Sequence, residues 1–180
     1  MFFYVLFLSS IITMTSLPTT EKEQLTDLIC HFIRQRGIVI KEGITASDTF
    51  FPGIAIKNGE LTIDREQLLY PGDLLHEAGH IAVAPPEERM KLNDNVTSER
   101  PGSEGEEMSV MLWTYAACLE LGISPAVVFH AEGYKGDSQW IVEQYTARNY
   151  IGLPLLVWMG LAKDATVPGG FPTMLKWIRE

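Results

Sequence analysis

The chain has 180 residues, 46% hydrophobic and 21% charged, which is ordinary globular composition and enough for one domain with a real core. A net charge of −9 with no basic cluster excludes a nucleic-acid binder that works through the phosphate backbone. The two cysteines, Cys30 and Cys118, belong to no C-x-x-C pair. They read as small buried hydrophobes in a reducing compartment, with a single disulfide between them as the alternative.

Residues 1–17 form an apolar segment ahead of a single domain over 18–180. The run Phe2-Phe3-Tyr4-Val5-Leu6-Phe7-Leu8 with Ile11-Ile12 falls short of the about 20 residues that a membrane span needs. The first basic residue is Lys22, so the positive start of a secretory signal is missing. We favour a native start at Met14 and a cytoplasmic protein; export or membrane anchoring through residues 1–17 is the alternative.

The spacing of Leu25, Leu28, Ile29, Phe32 and Ile33 predicts a helix over 19–36, capped by Thr20 with Glu23 in a capping box and ended by Gly37. His31 beside this stripe reads as structural. Ile38-Val39-Ile40 is a short strand, and 43–51 a loop or irregular edge. Gly53-Ile54-Ala55-Ile56-Lys57 and Glu60-Leu61-Thr62-Ile63-Asp64 alternate in polarity about Asn58-Gly59, which supplies the positive φ angles of a hairpin turn. Residues 65–70 read as a short helical turn.

Pro71-Gly72-Asp73 then reads as a turn with Asp73 as N-cap, and Pro85-Pro86 as a stop, which brackets a helix over 74–84. It holds His76-Glu77-Ala78-Gly79-His80, the zinc-peptidase pattern H-E-x-x-H. Four residues apart on a helix, the two imidazoles share a face and can hold one ion. Glu77 points about 100° around the helix, placed to act on water and not as a ligand. The helix is otherwise apolar, and two His and a Glu in a buried setting need a partner, because an unpaired buried polar group costs about 1–3 kcal/mol. A metal is such a partner; a chance match with hydrogen-bonded core histidines is the bland alternative.

Residues 85–102 are crowded with charge and turn formers and read as an exposed loop over the site. Asn95-Val96-Thr97 fits a glycosylation acceptor that matters only in a secreted protein. Ser103 to Leu121 is the second key helix, with Ser103 and Glu106 as a capping box. Glu107 shares a stripe with Val110, Met111, Thr114, Cys118 and Leu121, free of other charge, which makes it the candidate third metal ligand. Glu106 is the alternative ligand, and a mere helix-dipole role the bland reading of Glu107.

Ser124 caps a short helix around 125–130 that has Pro125 at its first position. The segment from His130 to Ser138 reads as a plain surface loop; the alternative is that His130 or Tyr134 donates a hydrogen bond to a reaction oxyanion. Helices follow over 138–148 and in the apolar stretch 151–160, the latter buried or covered by a partner. Pro168-Gly169-Gly170-Phe171-Pro172 is a turn before a last short helix, Thr173 to Arg179. The elements together predict an α+β fold: a small antiparallel sheet, hairpin plus edge strand, packed on a mainly helical core.

The order helix, strand, hairpin, H-E-x-x-H helix and glutamate-bearing helix, over roughly residues 25–121, resembles the small zinc metallopeptidases of the ImmA/IrrE type (minigluzincins). The resemblance implies a zincin-like core, Zn2+ held by His76, His80 and Glu107, and Glu77 as general base in the hydrolysis of a peptide or protein substrate by a metal-activated water. The chain departs from the pattern in two respects. It has no recognisable helix-turn-helix module, and it carries Met108-Ser109-Val110-Met111-Leu112-Trp113 where the family has alanine-asparagine-x-phenylalanine-alanine. The alternative is a non-catalytic zinc-binding interaction or regulatory protein. A structural site has no use for Glu77 and takes four protein ligands, and no cysteine stands near to supply one.

Overall fold

A computed structural model describes residues 19–46, 49–94 and 105–180. The apolar run at 1–17, the Asn95-Val96-Thr97 acceptor and the Ser103 cap lie outside them. Among the described residues the fold is α+β, with six α-helices and one three-stranded sheet. No described helix is long and apolar enough to cross a membrane.

Helix α1 (Thr19–Gln35) buries Ile29, Cys30, Phe32 and Ile33 and leaves His31 exposed. Thr20 lies inside the helix and does not cap it. The strands are β1 (Ile40–Glu42), β2 (Ile54–Lys57) and β3 (Glu60–Ile63). Asn58 and Gly59 take φ of 52° and 72°, as the hairpin turn requires. The sheet is mixed, which corrects the expectation of an antiparallel one. β3 is central, antiparallel to β2 and parallel to β1, with Ile40 opposite Leu61 and Glu42 opposite Ile63. β1 and β3 are not joined by a tight turn: the segment 43–53 and β2 lie between them, which lets the chain enter β3 in the same direction as β1. Ile40, Ile54, Ile56, Leu61 and Ile63 share the buried face, against which α1 and the next helix pack.

That helix, α2 (Asp73–Val83), is buried along its whole length. Its N-cap is Gly72 and not Asp73, which is the first helical residue and turns its carboxylate elsewhere. The helical turn expected after β3 is a single turn over 65–67, closed by the Leu68 amide donating to Asp64 O at 2.9 Å, with the Glu66 and Gln67 amides donating to the Asp64 side chain. The far end of α2 is closed by two arginines: Arg89 donates to the carbonyls of Ile81 and Ala84, while the Arg179 amide donates to Ala82 O and its guanidinium to Val83 O. Orphan C-terminal carbonyls in a buried helix need such partners.

Pro85 stops α2 and becomes the N-cap of α3 (Pro86–Arg89). Of the expected exposed loop, 95–102 lies outside the described residues; the described part is mostly exposed but is anchored at its end. Leu92 is buried, Asn93 bridges to Lys57, and Asp94 Oδ1 accepts from the Ile56 amide at 2.6 Å. This segment covers the open edge of β2, which would otherwise present unpaired backbone groups.

Helix α4 (Glu106–Leu121) is the main partner of α2. Because it begins at Glu106, that residue does not hold the third helical position that a capping box needs. The helices approach closely at Gly79, where a Cβ would stand 2.9 Å from Val110 Cγ1 and 3.3 Å from Thr114 Oγ1. Ser124 caps a short 3-10 turn (Pro125–Val127), as expected. α5 (Ser138–Thr146) and α6 (Leu153–Trp158) follow, the latter with Leu153 and Leu156 buried and Trp158 exposed. No helix forms over 173–179. Instead Trp177 lies edge-on to Phe32 and Trp113 at 5.0 and 5.4 Å, and its carbonyl accepts from Trp113 Nε1 at 3.1 Å. These tertiary contacts outweigh what one turn of helix offers. Cys30 and Cys118 are both buried and unbridged.

Candidate metal centre

The four-residue spacing on α2 places the His76 and His80 rings with centroids 4.9 Å apart. Their Nε2 atoms face each other at 3.2 Å. The α4 face that meets Gly79 carries Val110 and Thr114. Glu107, one turn before Val110, reaches from that face to both rings. Its Oε1 is 3.5 Å from His76 Nε2 and its Oε2 3.4 Å from His80 Nε2. The three side chains offer ligand atoms within 4.8 Å of one another, and among the described residues they are the one group of His, Cys, Asp and Glu so placed.

These separations test whether a metal fits. Zinc bonds of about 2.0–2.1 Å arranged tetrahedrally set the donors about 3.3–3.4 Å apart. The Nε2–Nε2 separation of 3.2 Å matches that figure, and each of the two nitrogens has a Glu107 oxygen at 3.4 or 3.5 Å, a different oxygen of the one carboxylate in each case. Two imidazole nitrogens and one carboxylate also form a donor set suited to Zn2+. Burial holds the pKa of His76 down at about 4, which keeps the ring neutral, as a ligand must be. Burial also raises the Glu107 carboxyl above its ordinary range. Glu77 is pushed up to about 8, first by burial and then by the charges of Asp73, Glu107 and Asp94. A buried concentration of carboxylates is costly without a cation, and a dication offsets it.

The structure therefore brings His76, His80 and Glu107 together, and the ligand group includes neither Glu106 nor Glu77. His76 and Glu107 form part of the wall of a cleft of about 750 Å³ whose other walls include Phe51, Tyr70, Met111 and Trp140. Glu77 is buried and does not line the cleft, though it lies within electrostatic reach of Glu107.

The loop after α4 is not the plain surface that its polarity suggested. His130 is buried, stacks on Tyr70 at 3.8 Å, and bonds through Nε2 to Asp73 Oδ1 at 3.1 Å. This pairing is what draws Asp73 away from capping α2. Burial raises the Asp73 carboxyl, and His130 partly offsets the rise. Tyr134 places its hydroxyl 3.1 Å from His76 Nδ1, and burial drives its phenol well above the ordinary tyrosine range. Its backbone, with that of Lys135, sits in the left-handed region at φ of 54° and 55°, a conformation that costs roughly 1–2 kcal/mol per non-glycine residue. The sequence marks His130 and Tyr134 as chemistry-bearing, but it carries no local sign of the Asp73–His130 pair or of the link from Tyr134 to His76. The one signal for the loop was its pair of glycines, Gly133 and Gly136, around two chemistry-bearing side chains.

The fold and these side chains define a candidate mononuclear metal centre at the edge of an apolar cleft in an α+β scaffold. Compared with protein-family models, with curated proteins and with solved structures, the chain matches none.

Proposed function

We propose that the chain is a zinc-dependent peptidase of the gluzincin kind, related in its working parts to the ImmA/IrrE-type enzymes that its sequence resembles. The convergence of two imidazoles and one carboxylate, with ligand atoms within 4.8 Å of one another, carries the reading. His76, His80 and Glu107 would hold Zn2+, which when bound would supply Lewis-acid chemistry, a water nucleophilic near neutral pH and a polarised carbonyl. The Glu77 carboxylate accepts the water's proton and passes it to the leaving amine. Phe51, Met111 and Trp140 form apolar walls against which a peptide segment lies out of bulk water. We place the protein in the cytoplasm, a location with which the unbridged Cys30 and Cys118 agree.

One observation favours a second reading, a zinc-binding interaction or regulatory protein without catalysis: Glu77 lies outside the cleft lining. A peptide-library cleavage assay run beside metal analysis separates the two. The first reading expects about one zinc per chain, lost in His80→Ala. It also expects Glu77→Gln to keep the zinc and to lose cleavage by about 10²–10⁴-fold. Zinc uptake with equal inertness of wild type and Glu77→Gln selects the second reading. Undiminished zinc content in His80→Ala ends both.

A further inference from the structure

We infer that Tyr134 is a positioning residue for the metal centre, acting through His76. This rests on the metal reading above but on different atoms. The two nitrogens of the His76 ring have different neighbours: Nε2 faces His80 and Glu107, and Nδ1 faces the Tyr134 hydroxyl at 3.1 Å. When Nε2 gives its lone pair to a metal, Nδ1 must carry the hydrogen. The phenol oxygen then accepts Nδ1–H and holds the ring in the plane that aims Nε2 at Glu107.

Tyr134 is built for this task and not for meeting an oxyanion. Nδ1 and Nε2 point out of different sides of the imidazole, so a hydroxyl bonded to Nδ1 is turned away from the ion's side of the ring. The left-handed backbone at Tyr134 and Lys135 brings the side chain back over α2, and Phe129, at 5.0 Å, packs against the Tyr134 ring. Phe51 touches the same imidazole edge-on, at 5.7 Å between ring centroids, but offers it no polar atom. Phe51 therefore serves as the packing control.

The test measures the zinc affinity of the full chain by chelator competition for wild type, Tyr134→Phe and Phe51→Leu, with the ¹⁵N resonances of the His76 ring followed in metal-free and zinc-loaded protein. Loss of the hydrogen bond weakens zinc binding about ten- to hundredfold in Tyr134→Phe, and Phe51→Leu, which alters only packing on the same ring, weakens it less. The His76 Nδ1 resonance moves in Tyr134→Phe with or without zinc, because the bond exists in both states. Equal affinity of Tyr134→Phe and wild type, or a His76 Nδ1 signal indifferent to the substitution, overturns the assignment. If wild type takes up no zinc, the metal reading and the positioning role end together; if wild type takes up zinc and Tyr134→Phe binds it equally well, the positioning role ends alone. Should Tyr134→Phe not fold, wild type alone decides: a nuclear Overhauser contact between the two rings, whose centroids lie 6.0 Å apart, sustains the inference and its absence ends it.

Discussion

Asp64 shows how one carboxylate can organise a turn that leads to the site. It follows β3 and accepts hydrogen bonds from the amides of Thr45, Glu66 and Gln67 and, at 2.7 Å, from the Gln67 side chain. The Gln67 side-chain bond, followed by these backbone amides, holds its carboxyl below the ordinary range. A carboxyl whose pKa is lower folded than unfolded stabilises the fold above the unfolded value and loses that contribution as pH falls through the folded one. Asp64→Asn should therefore melt below wild type at pH 7, and the gap should shrink as both are titrated to pH values below the ordinary aspartate range. Melting curves across that range check it; a gap of constant size would mean that the ionised form has no special role. Asp73 teaches the complementary lesson. Its place before an apolar helix suggests a cap, yet a buried His130 claims it, and no local pattern announces a partner 57 residues away.

At the scale of elements, what was legible is what local periodicity controls. The hairpin followed from Asn58-Gly59, α2 from its apolar run between a turn and two prolines, and Glu107 from its place on the inward stripe of α4. What was not legible depends on distant chain. The parallel β1–β3 pairing, the segment at 91–94 that covers the β2 edge, and the C-terminal tail that stays unwound to bury Trp177 are all set by neighbours remote in sequence. Gly79 belongs to both groups. It is half of the motif's unspecified pair, and it is also where α2 and α4 touch. Alanine there gains about 1 kcal/mol of helix propensity. Its Cβ, however, meets Val110 Cγ1 at 2.9 Å, and Val has little freedom to turn aside. Overpacking costs of about 1–3 kcal/mol should prevail, so Gly79→Ala is expected to lower Tm by about 2–4 °C. It should also weaken zinc binding, because it pushes the helix bearing Glu107 off the helix bearing both histidines. A raised Tm with unchanged zinc affinity would show slack at this crossing.

The whole molecule arranges three separate stretches around one point: α2 with the imidazoles, α4 with the carboxylate, and the loop 129–136 that reaches His76 and Asp73. The far end of α2 is held by Arg89 and Arg179, residues 90 positions apart that also bond to each other, so the tail, α2 and the β2 edge form one connected unit. Unfolding separates every one of these stretches, so an ion that needs all three ligands binds the folded chain alone. Its binding energy then adds to stability by mass action: free zinc at a hundred times its Kd contributes about 2.7 kcal/mol. For a chain of this length that raises Tm by roughly 5–11 °C. Zinc added to metal-free protein should produce this shift, and a chelator should reverse it. His80→Ala and Glu107→Ala should melt at one temperature with or without zinc. If wild type melts identically in zinc and in chelator while His80→Ala melts higher than wild type, the imidazole pair is a cost to the fold with no cation to offset it, and the metal centre falls.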